Sequence, residues 1–336
     1  MGKEKTVLEG PVYDARSLGT PKMLVLGLQH MFAMFGATVL VPALTGLDVA
    51  TTLLFAGLGT LLFHLITKAQ VPAFLGSSFA YLAGYWAIAP NGESHLLPYA
   101  CFAVAVSGLM YVIMAAVIKS VGVNKVMRFF PPIVTGPIII SIGLILSSSA
   151  INNCNANWLV AVVAIIVVII CNMWGKGMIK IIPILIGVVA SYLVSMLIDP
   201  ASRSAVAAAV AEADWIGIPI HKEATVFGLF MDGADPGLLL TACITIVPLA
   251  IATMMEHIGD ICAISSTVGK KYLVEPGLHR TMMGDGIATS FASLFGAPAN
   301  TTYGENTGVL ALSRVYDPRV IRLAAVFAII LSFSPK

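Results

Sequence analysis

Four carboxylates lie inside apolar stretches of this sequence, where acidic residues are rare. They are Glu256, Asp260, Asp285 and Glu305. Glu256 and Asp260 are spaced i and i+4, so they share one face of a helix. Two carboxyl groups close together in a low-dielectric site cannot both ionise easily, and one of them is then able to load and release a proton. Proton-coupled transport needs this chemistry.

Glu305 belongs to the most informative stretch of the chain, residues 301–314, with the sequence TTYGENTGVLALSR. An ionisable side chain that faces lipid costs roughly 2.5 to 3.5 kcal/mol or more, so a functional site is the default interpretation. For Asp285 an alternative to a functional role is an ion pair, because the residue lies near the basic end of its segment and can pair with a basic residue there. His30 and His257 follow Gln29 and Glu256, and we interpret both as structural hydrogen-bonding groups rather than proton carriers.

The composition identifies an integral membrane protein. Of the 336 residues, 58% are hydrophobic and 11% are charged, with a mean hydropathy of +0.93, whereas a soluble domain is about 25% charged. The sequence has no phosphate-binding loop, dinucleotide fingerprint, nucleophile elbow or zinc-ligand spacing. A nucleotide-driven pump and a membrane enzyme are therefore unsupported, and we expect no cofactor, no metal and no nucleic-acid partner.

Eleven apolar segments predict an all-α polytopic membrane protein with helical spans. They are 23–44, 50–67, 71–89, 97–118, 131–149, 157–173, 181–198, 238–264, 281–296, 298–312 and 320–333. Lys and Arg collect on alternate connections between these segments, as the positive-inside rule requires. This pattern puts the N-terminus in the cytoplasm and the acidic connection 199–236 outside the cell.

An internal repeat is visible in three pairs of short motifs. Positions 29–30 match 256–257, positions 57–60 match 286–289, and positions 72–80 match 298–304. Three matches in the same order and at nearly the same spacing indicate a seven-span unit, and its odd number of spans makes the second copy inverted. The chain ends after the equivalent of the fourth span. We therefore expect a truncated chain or a fragment, with spans 12–14 missing.

The third and tenth spans depart from a plain helical pattern. Each begins with a proline, Pro72 or Pro298, followed by small or β-branched hydroxyl residues that favour extended backbone. Non-helical backbone at membrane depth is tolerated only where it is buried in protein or lines a cavity. We predict that the two pieces pair as short β-strands. Each would lead into a half-helix whose first N–H groups can bind substrate oxygen atoms.

Four stretches together resemble the nucleobase/ascorbate transporter family, also called nucleobase:cation symporter-2, and are most similar to its bacterial uracil-transporting members. They are 29–38 (QHMFAMFGAT), 72–80 (PAFLGSSFA), 256–259 (EHIG) and 300–308 (NTTYGENTG). The family signature continues to Ser313 and Arg314, with Ser313 where threonine is usual. The resemblance covers essentially the whole chain.

The resemblance implies fourteen spans divided into a core domain and a gate domain. It assigns residues 1–22 to a cytoplasmic leader, 23–118 to the first half of the core, 119–198 to the gate, 199–236 to an extracellular loop and 237–336 to the second half of the core. It also implies a homodimer in the plasma or inner membrane, surrounded by lipid.

The same resemblance implies a set of site residues. The substrate ring would be flanked by Ala37, Phe79 and Tyr303, would accept hydrogen bonds from the backbone N–H groups of Phe79 and Gly304, and would donate to Glu256 and Glu305. Proton coupling would use Glu256, Asp260 and Glu305. Supporting residues would be His30, Ser78, His257, Asp285, Asn306 and Arg314.

The implied function is uracil import by proton symport with alternating access. Asp260 and Asp285 resemble the purine branch of the family, so a xanthine or urate permease is the alternative. Glu305 resembles the uracil branch, where purine transporters tend to have Gln. An anion transporter of the same inverted-repeat architecture is a second class of function, but Glu256 and Glu305 would repel its substrate. A non-transporting fragment that still binds the base is a third.

Overall fold

The computed structural model of the chain describes residues 10–129, 132–176, 179 and 182–334. The helices are α1 (Thr20–Thr45), α2 (Val49–Ile66), α3 (Leu82–Ile88), α4 (Leu97–Val121), α5 (Val123–Phe129), α6 (Thr135–Cys154), α7 (Trp158–Trp174), α8 (Pro183–Ile198), α9 (Pro200–Glu212), α10 (Val226–Asp232), α11 (Pro236–Ile246), α12 (Leu249–Val268), α13 (Leu278–Leu294), α14 (Gly304–Ser313) and α15 (Pro318–Ser332). Two strands, β1 (Leu75–Ser77) and β2 (Asn300–Thr302), complete the elements used below.

Helices lie in all eleven segments that the sequence predicts as spans. By length and hydropathy, four helical stretches of the described chain are able to cross a membrane: Thr20–Thr45, Val49–Ile66, Leu97–Val121 and Pro236–Val268. The pair α8 and α9 makes a fifth if it is one span broken by a bend of 112°. The count of eleven stays a prediction. The first nine residues of the predicted leader and the starts of the predicted spans at 131 and 181 lie outside the described residues.

The two predicted strands pair with each other, which confirms that expectation. β1 and β2 are antiparallel, with Leu75 opposite Thr302, Gly76 opposite Thr301 and Ser77 opposite Asn300. Two further bonds extend the pairing, from Ser78 N–H to Ala299 O (3.0 Å) and from Tyr303 N–H to Phe74 O (3.0 Å). All six strand residues are buried. Mutual pairing therefore satisfies backbone groups that neither water nor lipid can reach.

Two helices hold the strand pair from behind through matching threonines. Thr60 on α2 accepts a hydrogen bond from Leu75 N–H at 2.9 Å, and Thr289 on α13 donates to Asn300 O at 2.9 Å. Asn300 also crosses to α2, where its amide donates to Phe55 O at 2.7 Å. This close approach requires glycine at position 59, because a Cβ there would lie 2.0 Å from Asn300 Nδ2.

Residues 10–18 form an N-terminal strap that docks on the chain rather than extending away from it. Val12 N–H donates to Arg314 O at 2.8 Å, and Tyr316 N–H donates to Val12 O at 2.8 Å. The Tyr13 hydroxyl donates to Val268 O at 2.8 Å. The strap therefore ties the end of α12 to the connection between α14 and α15. α1 begins at Thr20, three residues before the predicted span.

The connection 199–236, predicted as a loop, contains the helices α9 and α10. α9 starts at a proline, Pro200, and the side chain of Asp199 accepts hydrogen bonds from the N–H groups of Ala201 (3.0 Å) and Ser202 (3.2 Å). Asp199 is thus an N-cap, which satisfies donors that a helix start leaves free. Asp199, one of the acidic residues of this connection, is therefore also a capping residue.

Candidate substrate-binding site

Thr302, the last residue of β2, is the meeting point of two predicted carboxylates and a histidine. Its hydroxyl donates to Asp260 Oδ2 at 3.1 Å and lies 3.1 Å from His257 Nδ1. Its backbone N–H donates to Asp285 Oδ1 at 2.9 Å. The other oxygen of Asp285 is 3.1 Å from His257 Nδ1. Side chains from α12 and α13 are therefore joined through one strand residue.

Asp285 contacts His257 and not a basic residue at the end of its own segment, which was the alternative that the sequence offered. Its side chain and that of His257 are both 0% exposed, and the contact between them replaces the pairing at the basic end of the segment. Arg280, the base near that end, instead donates to Ile66 O at 3.1 Å. Burying a carboxylate without contacts would be costly. Asp285 Oδ1 accepts the bond from Thr302 N–H, whereas Oδ2 has the 3.1 Å contact with His257 Nδ1 and makes no hydrogen bond among the described residues.

Tyr303 sits between the strand pair and α1. Its hydroxyl donates to Ser77 O at 2.8 Å and lies 3.3 Å from Thr38 Oγ1. Gly76 permits this position, since a Cβ there would lie 2.7 Å from the Tyr303 ring. The phenol oxygen is occupied by internal hydrogen bonds, so what Tyr303 can offer a ligand is the ring rather than the hydroxyl.

Five of the six residues predicted to contact substrate are exposed or partly exposed, and the sixth, Tyr303, is buried. Gly304 and Glu305 at the start of α14 are exposed, and Ala37, Phe79 and Glu256 are partly exposed. A Cβ on Gly304 would lie 3.2 Å from Asp260 Oδ1, so the start of α14 adjoins that carboxylate. The first N–H groups of a helix have no acceptor within it. This end of α14 therefore combines free donors with acidic acceptors.

The four predicted supporting residues other than His257 and Asp285 fall into two groups. Ser78 and Arg314 act through the backbone, as the partners of Ala299 and Val12. His30 and Asn306 are buried, at 0% and 1% exposure, and their side-chain polar atoms have no hydrogen-bond partner among the described residues. Buried polar atoms without partners are uncommon in folded proteins and mark positions where a polar group matters for more than packing.

Two cavities of the described chain have no lining residue in common. One of 270 Å³ is lined by residues of α1, α7, α8 and α14 and by Ile182, and includes Ala37 and Glu305. A larger cavity of 790 Å³ lies beside the N-terminal strap and is lined by charged residues such as Lys270 and Arg319. Only the smaller cavity contains residues of the predicted substrate site.

In the described part of the chain, no group of three or more His, Cys, Asp or Glu side chains could hold a metal ion.

Sequence reasoning missed several residues that organise the site. The motifs at 29–38, 72–80 and 300–308 contain Thr38, Ser77 and Thr302 but predict no individual role for them, although all three hold site residues in place. Thr60 and Thr289 are the fourth residues of one matched motif pair, a signal that pointed to them. Asn172, an amide in the sixth apolar segment, was overlooked as well.

Comparison with known proteins gives a consistent result. Residues 21–336 match the family model Xan_ur_permease, described as Permease family. The chain is 41% identical over 338 residues to a uracil permease of Bacillus caldolyticus, covering 97% of this chain and 75% of that protein. It is 39% identical over 350 residues to a uracil permease of Bacillus subtilis (strain 168), covering 100% and 76%.

Two solved structures have a similar fold. The transmembrane domain of the cyanobacterial bicarbonate transporter BicA is similar with a TM-score of 0.62 at 13% sequence identity, covering 96% of this chain and 83% of that one. SLC26A9 is similar with a TM-score of 0.59 at 13% identity, covering 96% and 55%. At this level of identity the likeness concerns architecture alone.

Proposed function

Because the chain belongs to the Permease family over residues 21–336, as its resemblance to nucleobase transporters predicted, we propose that it imports uracil together with a proton. The observation that carries this proposal is the start of α14, where Gly304 and Glu305 are exposed beside Asp260 and the paired strands. The relatives reported above are themselves uracil permeases.

The site suits a small planar base. Uracil alternates carbonyl acceptors with ring N–H donors along one edge. Glu256 and Glu305 supply acceptors for its N–H groups, and the backbone N–H groups of Phe79 and Gly304 supply donors for its carbonyls. Ala37, Phe79 and the Tyr303 ring would flank the base. Tyr303 suits that role because its hydroxyl is held by Ser77.

Proton coupling is the second part of the proposal. Glu256, Asp260 and Glu305 stand in or beside the site, where protonation of a carboxyl would accompany binding. Asp260 is linked through Thr302 to the buried pair of His257 and Asp285. A change of charge on Asp260 would therefore alter its hydrogen bond with Thr302, the last residue of β2, and β2 leads into Glu305.

The architecture we propose is an inverted repeat with a core and a gate. The first half of the core is β1 with α1 to α4, the second half is β2 with α11 to α15, and α5 to α8 belong to the gate. The equivalence of Thr60 and Thr289 supports the repeat, because each bonds the strand of its own half. We further propose a cytoplasmic N-terminus, a plasma or inner membrane location and a homodimer.

The alternative substrate class is a purine such as xanthine or urate. Asp260 and Asp285 favour it by resemblance, whereas Glu305 and the names of the relatives favour uracil. An anion substrate is the weaker alternative, since its support is a fold shared at 13% identity with a bicarbonate transporter.

Uptake of radiolabelled uracil by cells that lack their own permease tests the proposal. We expect saturable uptake that a protonophore abolishes and that unlabelled uracil inhibits better than xanthine. The Glu256→Gln variant should lose uptake at equal membrane abundance, while Met173→Leu, on an exposed side chain of α7, should keep it. Uptake that survives both the protonophore and the Glu256 change would refute proton symport, and stronger inhibition by xanthine would transfer the proposal to purines.

A further inference from the structure

The cavity of 270 Å³ has a polar residue on its gate side. Its walls are formed by α1 and α14 of the proposed core and by α7 and α8 of the proposed gate. Ala37 and Glu305 belong to the core wall, and Asn172 belongs to the gate wall. The volume lies just below the roughly 300 Å³ at which sites for drug-sized molecules begin. It therefore suits a single small ring.

Asn172 is an exception within its own helix. α7 has the sequence WLVAVVAIIVVIICNMW, and Asn172 is the one residue in it with an amide or charged side chain. A polar side chain in a membrane helix is expensive and generally faces a cavity or the protein interior rather than lipid. Its place in the wall of this cavity agrees with that rule.

Asn172 has the only amide side chain among the described residues that line the cavity. Among the described residues that line it, Glu305 and Asn172 are the only ones with polar side chains; the others are aliphatic, aromatic or glycine. An ionised carboxylate only accepts hydrogen bonds, so it pairs with ring N–H groups and not with ring carbonyls. The primary amide of Asn172 both donates and accepts, and a primary amide is able to pair in bidentate fashion with the edge of a base.

We infer that Asn172 is the gate-side residue that contacts the bound base, donating to a ring carbonyl while Glu305 pairs with an N–H group from the core side. This inference rests on the proposed function. It assigns base selectivity in part to the gate, because only a ring that offers a carbonyl to α7 and an N–H to α14 satisfies both walls. It also couples substrate binding to the movement of the gate towards the core, because the base contacts both.

The test compares variants of the intact transporter at matched membrane abundance. Asn172→Leu removes the amide at similar volume, and Asn172→Asp keeps the shape but removes the donor. Met173→Leu is the matched control, because Met173 is the next residue on α7 and is 68% exposed. For each protein, the KM for labelled uracil and the inhibition constants of 2-thiouracil and 4-thiouracil are measured, since sulfur is a weaker acceptor than the oxygen it replaces.

We expect the Asn172→Leu variant to raise the KM for uracil about tenfold, the effect of one lost hydrogen bond, with a smaller change in maximal rate. Wild type should discriminate against one of the two thio analogues, and this discrimination should disappear in Asn172→Leu and persist in Met173→Leu. Asn172→Asp should lose more uptake than Asn172→Leu, because it adds a second carboxylate to the cavity with Glu305.

The possible failures are distinguishable. A wild-type protein that transports no uracil refutes the proposed function, and the inference with it, before any variant is considered. A wild-type protein that transports uracil, with unchanged KM and unchanged thio-analogue discrimination in Asn172→Leu, refutes the inference alone. Equal losses in Asn172→Leu and Met173→Leu would also overturn it, because they would assign the effect to packing of α7.

Discussion

The two strands at the centre of the protein have the same backbone task but different chemical surroundings. β1 is held by a threonine and a histidine: Thr60 bonds Leu75, and His64 Nε2 lies 3.0 Å from Ala73 O just before the strand. β2 is held by a threonine of the same kind, Thr289, and in addition by two carboxylates that contact Thr302. The described hydrogen bonds to β1 include no carboxylate.

The threonines behind both strands therefore have a structural role, whereas the carboxylates at β2 can carry chemistry. Each strand needs a helix behind it to satisfy its backbone, and a threonine hydroxyl does that without adding charge. The carboxylates are extra to this structural requirement and gather on one side, between α12, α13 and α14. A symmetric scaffold with an asymmetric set of charges has one face that can respond to protonation, and the four predictions below change one side at a time.

The largest expected effect is at Asp285. Asp285→Asn replaces the carboxyl group that faces His257 with an amide and weakens the acceptor for Thr302 N–H, and breaking a buried pair costs about 3 to 5 kcal/mol. Uptake should fall by about a hundredfold or more, with a lower melting temperature. His64→Gln, the comparison on the β1 side, should lower the melting temperature and leave proton dependence intact. Proton-coupled uptake at wild-type level in Asp285→Asn would contradict the asymmetry.

A glycine behind the strands should have the next largest effect. Gly59→Ala places a Cβ against the amide of Asn300 and breaks its bond to Phe55 O, for a loss of about 1 to 3 kcal/mol. Gly143→Ala on α6 is the matched control, because a Cβ there meets nothing within 4 Å. We expect a drop in melting temperature for Gly59→Ala only, measured on detergent-purified protein. Equal melting temperatures would show that α2 can move away from β2.

The two threonines test how equal the scaffolds are. Thr60→Val and Thr289→Val each remove one hydroxyl from a strand contact at nearly constant volume, and each should cost about 1 kcal/mol. Similar losses of thermal stability in the two variants, with Glu256-dependent uptake preserved in both, are expected. A loss of proton coupling in Thr289→Val alone would extend the asymmetry to the scaffold itself.

The smallest effect is expected in the N-terminal strap, whose hydrogen bonds reach Val268, Arg314 and Tyr316 on the β2 side of the protein. The hydrogen bond from the Arg16 side chain holds the pKa of Asp14 well below its usual range. A lowered pKa contributes stability above the ordinary pKa of aspartate, and this contribution is lost as pH falls through the folded value.

Asp14 is exposed, so solvent screens this contribution and the effect is small. Asp14→Asn should therefore reduce the melting temperature slightly at neutral pH, and the curves of wild type and variant should converge in acid. Uptake should not change. A pH-independent difference between the two proteins would assign the strap's stability to its backbone bonds with Arg314 and Tyr316 instead.

Much of the fold follows from local sequence. Apolar composition predicts a helical membrane protein, and Pro72 and Pro298, each followed by small and hydroxyl residues, predict the two extended breaks. Their pairing could be predicted too, because buried strand backbone in a membrane protein has few other partners. The carboxylates and the motif at 301–314 mark the site for the same reason: an expensive residue in an apolar segment needs an explanation.

The partners of these residues were decided by packing between distant segments. Asp285 could have paired with the bases near it in sequence, but the approach of α12 to α13 gives it His257 and Thr302. Tyr303 turns its hydroxyl to Ser77, more than two hundred positions away, and Asn172 acquires Glu305 as a neighbour in one cavity. Local sequence controls backbone conformation and burial, because both depend on adjacent residues. Side-chain partners depend on which helices meet, and that is a property of the assembled tertiary structure.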